Sequence, residues 1–150
     1  MNVSLGKLAA AAVLSLAAGA CATTSGPSAD VVEPVKVIYH INQGNEQATD
    51  GLRNANNHLA ADPKAKIVFV THAAGIRFLL DGAKDKNGNS YDALVQDLMG
   101  KGVEFRLCNF TLQRGNIDPK KVIQGVKIVP SGVAEVSRLQ RNEGYAYLKP

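Results

Sequence analysis

Short apolar runs rich in Val, Ile and Phe recur along this chain. Each is followed by a stretch whose apolar residues step by three and four, and few folds accommodate that alternation. Residues 35–41, Val-Lys-Val-Ile-Tyr-His-Ile, read as a buried strand. Residues 45–60 follow with Ala48, Leu52, Ala55 and Leu59 on one helical face, and Pro63 closes the segment. Residues 65–71 are a near-continuous apolar run of the kind buried on both faces of a sheet. Residues 74–80 have short helical character, and 82–89 form a charged loop with turn residues. A further helix, capped by Asn89 or Ser90, is expected to turn Ala93, Leu94, Leu98 and Met99 inward and to stop at Gly100 and Gly102. Residues 103–108 read as the third strand. Asp118-Pro119 predicts another helix, a cap followed by proline at the first helical position. Residues 126–129 are the fourth strand. Ser131 opens a helix carrying Val133, Val136 and Leu139, Gly144 ends it, and 145–148 make a short fifth strand. Strands alternating with helices at this spacing give an α/β fold: a three-layer α/β/α sandwich around a five-stranded parallel sheet.

The first residues have a different character. Lys7 precedes an apolar run over 8–18 that ends in small residues. The run is too short to span a hydrocarbon core of ~30 Å and fits a secretory signal peptide. Residues 1–21 are therefore expected to be a leader, 22–34 a flexible tether and 35–150 the folded domain. Cleavage has two readings. Ala18-Gly19-Ala20 and Ala20-Cys21-Ala22 both satisfy the small-x-small rule, whereas Ala18-Gly19-Ala20-Cys21 is an imperfect lipobox that makes Cys21 a lipidation site. Either way the protein is expected to be exported, as a periplasmic protein or a lipoprotein that meets the membrane only through its anchor. With Cys21 removed or lipidated, Cys108 is the one free thiol, and no intramolecular disulfide can form.

A net charge of +4 is mild, and the basic residues are scattered without an aromatic-basic signature, which argues against nucleic-acid binding. There is no phosphate-binding G-x-x-x-x-G-K-[ST] or G-x-G-x-x-G, no G-x-S-x-G elbow, and no pair of carboxylates at strand ends. In an open parallel sheet, ligands gather at the carboxyl ends of the strands. Those ends carry His40, His72, Cys108 and Ser131. His58 falls on the first helix and reads as a surface residue. If the segment after Cys108 coils into a helical turn, its free amides face the sulfur, Arg114 adds positive charge, and the thiol pKa falls. Burial among apolar neighbours gives the opposite reading, an inert small hydrophobe. A metal- or haem-binding module built on His40, His72 and Cys108 is a further alternative, since imidazole and thiolate suit zinc and copper, but their separate strands give no ligand spacing. No metal and no cofactor are expected.

The strand ending in Cys108 runs through Asn109-Phe110-Thr111-Leu112-Gln113 to Arg114-Gly115 and resembles the active-site segment of the DsrE/DsrF-like sulfur-relay proteins. Residues 129–135, Arg138-Leu139-Gln140 and the closing Gly144-Tyr145-Ala146-Tyr147-Leu148-Lys149-Pro150 look like the C-terminal signature of an exported branch of that family. The resemblance spans 35–150. It implies a DsrE-like sheet, assembly into trimers or hexamers, and a persulfide carried on Cys108 and exchanged with a sulfur donor or acceptor protein. Arg114 and local amides would activate the thiol, and His72 or His40 would accept a proton. Asn109, Thr111 and Ser131 would border the site. Asn109 and Thr111 depart from the small apolar residues that relay members favour there. A module that binds a small molecule or a partner without chemistry is the alternative.

Overall fold

The computed structural model describes Met1 and residues 33–150. The expected leader with Cys21, and the tether as far as Val32, lie outside the described residues. The elements run β1 (Lys36–Ile41), α1 (Asn45–Ala61), β2 (Lys66–Thr71), a 3-10 segment (Ala73–Leu79), α2 (Tyr91–Gly100), β3 (Glu104–Cys108), α3 (Asn109–Arg114), a 3-10 turn (Pro119–Lys121), β4 (Lys127–Val129), α4 (Gly132–Glu143) and β5 (Ala146–Leu148). The five strands form one sheet in the order β4-β3-β2-β1-β5, with every pairing parallel. From β1 to β4 the chain steps across the sheet in one direction. α4 then carries it back over β3, β2 and β1, so that β5 pairs on the far side of β1.

Strand alternation divides the core in two. Val37, Tyr39, Ile41, Ile67, Phe69, Phe105 and Leu107 face α1 and α2, where Ala48, Leu52, Ala55, Tyr91, Val95 and Leu98 close the larger cluster. Tyr39, Phe69 and Phe105 are register partners and stack in a row across three strands, with centroids 5.2 and 4.7 Å apart. The opposite face is smaller: Ile38, Val68 and Val70 meet Leu139 of α4, with Val136 and Tyr145 beside them. Here α4 is also fastened by charge. The Arg106 guanidinium, on the α4 face of β3, pairs with Glu135 of α4 and with Glu104, and Arg138 closes on Glu135 and Glu143.

The structure corrects three expectations. Ala93 and Leu94 point to solvent, as does Val133. The inward face of α2 is Tyr91, Val95 and Leu98, because the Tyr91 hydroxyl finds Thr49 and the Asn45 carbonyl while its ring packs on Phe78. Asp118-Pro119 caps only the single turn Pro119–Lys121. Val122 is already extended and bridges to Leu80, and Ile123 drops into the core. His58 is half-buried rather than free on the surface, its Nδ1 3.1 Å from the Tyr39 hydroxyl.

Candidate functional site

Two polar contacts and one close backbone approach hold the chain where it leaves the carboxyl ends of β1 and β2. The buried Gln47 side chain accepts from the Asn42 and Gln43 amides and donates to the His40 carbonyl, which fixes the β1–α1 loop. Gly75 lets the segment after β2 lie against β1, since a Cβ there would sit 2.2 Å from the Ile41 carbonyl oxygen. Ala73 is left with φ of 50°, a left-handed conformation that costs an L-residue roughly 1–2 kcal/mol. Its amide donates to the Thr111 hydroxyl at 3.1 Å, tying the strained segment to α3.

Cys108 closes β3, caps α3, and is 5% exposed at the wall of a pocket of about 430 Å³. Burial pushes its thiol pKa up. Hydrogen bonds from the Thr111 hydroxyl and from the Gly132, Thr111 and Phe110 amides outweigh that, and the thiol ends below its ordinary value. Two helices thus supply donors to one sulfur: the first turn of α3 and the first residue of α4. The second approach depends on a missing side chain. A Cβ on Gly132 would lie 2.9 Å from the Thr71 carbonyl oxygen, 3.1 Å from the His72 Cβ and 3.3 Å from the Cys108 Cβ.

His72 borders the same pocket. Its Nε2 lies 2.7 Å from His40 Nε2, and His40 Nδ1 lies 2.7 Å from the Tyr147 hydroxyl. A single proton can occupy the space between two facing ring nitrogens, so the pair resists becoming doubly cationic. His40 is pushed down to about 4 by burial, by His72 and by Lys149, and His72 is lowered by burial and Lys149. Both imidazoles are therefore neutral at pH 7. The row Tyr147–His40–His72 can change its tautomers together, leaving His72 able to take or give a proton at the pocket.

Among the residues singled out from the sequence, the pocket brings together Cys108, His72, Thr111, Arg114 and Ser131. His40 reaches it only through His72. Asn109 opens α3 half-buried and does not line it. Ser131 is primarily a helix cap, its hydroxyl accepting from the Ala134 amide. Arg114 stands at the C-terminal end of α3 and is not among the groups that lower the Cys108 pKa; amides and a hydroxyl do that work. Arg77, Gly132, Phe110 and Tyr147 escaped sequence reasoning. The Ser131-Gly132 pair at a helix start was a visible sign for Gly132, whereas Tyr147 has none without the sheet order. Among the described residues no three His, Cys, Asp or Glu side chains come together as a metal site, and His40, His72 and Cys108 do not form one.

The family model of the DsrE/DsrF-like family matches residues 36–150. The chain belongs to that family. A protein of unknown function from Methanobacterium thermoautotrophicum, MTH1491, is 30% identical, with a TM-score of 0.70 over 77% of this chain and 99% of that one. The ychN protein of E. coli shares the fold at 16% identity, with a TM-score of 0.62 over 78% of this chain and 97% of its own. No curated protein matches the sequence.

Proposed function

We propose that this DsrE/DsrF-like protein carries sulfur on Cys108, in an exported and self-associating form. The observation that carries the reading is the placement of one thiol: Cys108 caps α3 at the wall of a pocket, against Gly132 at the start of α4, where Thr111 and the neighbouring amides hold it below its ordinary pKa. Donors that favour the charged form serve a nucleophile, because the thiolate and not the thiol attacks sulfur.

The step balances without an outside oxidant. The Cys108 thiolate attacks the outer sulfur of a persulfide R–S–SH. A new S–S bond forms to Cys108, the donor's own S–S bond breaks, and R–S⁻ leaves with the electron pair. The transferred sulfur brings its proton to Cys108, and the departing thiolate takes one from solvent. Running the step in reverse on an acceptor thiolate delivers the sulfur.

The test is intact-mass analysis of the exported chain, with Cys21 removed or lipidated, after exposure to a low-molecular-weight persulfide. The expected result is a gain of one sulfur atom, reversed by reductant and absent in Cys108→Ser. A Cys108 that gains nothing, and labels with thiol reagents only after denaturation, overturns the reading in favour of a binding module.

A further inference from the structure

The pocket beside Cys108 has a charge pattern that sulfur chemistry does not by itself require. Its lining includes two arginines, Arg77 from the 3-10 segment and Arg114 from α3, and no Asp or Glu. Of the six arginines in the sequence, Arg53, Arg106 and Arg138 each hold an Asp or Glu. Among the described residues Arg77 and Arg114 hold none, nor does Arg141 near the end of α4, away from the pocket.

The acidic residues that flank the pocket-forming segments in sequence are directed elsewhere. Asp118 caps its own turn and Glu135 is committed to Arg106 and Arg138. The remaining walls are apolar. Phe110 and Val133 are 56% and 60% exposed, and Ile76 and Ile117 lie deeper. A volume of about 430 Å³ suits a small molecule rather than a polypeptide segment.

We infer that this pocket selects anionic, low-molecular-weight sulfur donors: small persulfides that carry a carboxylate, held at that end by Arg77 and Arg114 while the apolar body rests on Phe110 and Val133. The inference rests on the sulfur-carrier reading and adds the substrate class. Guanidinium is the side chain whose forked donors match a carboxylate, and two unpaired copies beside a nucleophile orient such a donor with its sulfur toward Cys108. Water screens the pair at the exposed rim, so selectivity is expected at low salt and is expected to fade as ionic strength rises.

The experiment compares the rates at which Cys108 of the exported chain, with Cys21 removed or lipidated, exchanges with an anionic aromatic disulfide, bis(carboxynitrophenyl) disulfide, and with neutral dipyridyl disulfide. Each rate is divided by that of free cysteine at the same pH. At low salt the anionic-to-neutral ratio is expected to exceed that of free cysteine roughly tenfold, the order expected from two nearby cations. Arg77→Gln with Arg114→Gln is expected to collapse the ratio, whereas Arg141→Gln, with the same charge change per site, leaves it in place. A carboxylate-bearing persulfide is expected to load Cys108 faster than its amide. A ratio equal to that of free cysteine, or one that Arg141→Gln lowers as much as the pocket variants do, overturns the inference and leaves the sulfur-carrier reading standing. Failure of Cys108 to react with either disulfide in the folded protein sinks that reading and the inference with it.

Discussion

At the scale of single residues, the chemistry turns on which groups donate to the Cys108 sulfur. Thr111 is the side chain with two tasks, since its hydroxyl donates to the thiolate and accepts from the strained Ala73 amide. A hydrogen bond to a charged group contributes about 1.5–3 kcal/mol, and about 1.4 kcal/mol is one pKa unit. Thr111→Val is therefore expected to raise the Cys108 pKa and to slow alkylation at pH 7 by roughly tenfold, read from a rate-against-pH profile. A profile that keeps its midpoint would show that the amides suffice. Histidine 40 makes a second residue-scale prediction. Its folded pKa of about 4 lies below that of an ordinary histidine, about 6.5. The unfolded chain therefore binds the proton first as pH falls. The contribution is intact above pH 6.5 and is lost progressively toward pH 4. Because the ring is only half-buried, solvent limits its size. Denaturation midpoints are expected to fall more between those values in the wild type than in His40→Gln, and parallel curves would remove the argument.

At the scale of elements, α4 decides whether a site exists. Its first residue must come within contact distance of two strand ends, and only glycine allows this. Gly132→Ala would press a methyl group against the Thr71 carbonyl and the Cys108 Cβ, neither of which is a flexible side-chain end. Overpacking of this kind costs about 1–3 kcal/mol, and relief by sliding α4 outward would withdraw the Gly132 amide from the sulfur. The expected outcome is a lower melting temperature together with a slower Cys108. A variant that loses stability but keeps its thiol reactivity would place the strain elsewhere. Leu139 provides the contrast, because it anchors the same helix in the small core far from the amide. Leu139→Ala is expected to cost about 2–5 kcal/mol of stability, with thiol reactivity per folded molecule largely retained.

At the scale of the whole molecule, the sheet ends in two edge strands of three residues each, β4 and β5. Ile128 on one, and Tyr147 and Leu148 on the other, are exposed. Short edges resist open-ended pairing, while exposed apolar groups favour a closed assembly. A trimer or hexamer is expected by sedimentation, and a monomer mass at micromolar concentration would count against it. The leader is expected to be absent from the mature chain, beginning near residues 21–23. Intact mass reads this directly, and loss of palmitate labelling in Cys21→Ser would separate a lipoprotein from a soluble periplasmic form.

The local periodicities of the sequence determined the α/β class, the parallel sheet and the arrival of His40, His72 and Cys108 at strand ends, because burial patterns of period two and 3.6 are properties of consecutive residues. They also made the coiling of 109–114 onto the sulfur a natural expectation. Which strand ends become neighbours is a different matter. Tyr147 meets His40 because the last strand pairs beside the first, and the Gly132 amide meets Cys108 because β4 lies next to β3. Arg77 joins the pocket because the segment after β2 folds flat on Ile41. The same limit explains the misplaced Leu94 and Val133: an apolar residue on a helix shows that some face is buried, but the helix's rotation is set by what packs against it, as Tyr91 and Leu139 do here. Periodicity encodes faces, and long-range packing decides which faces meet.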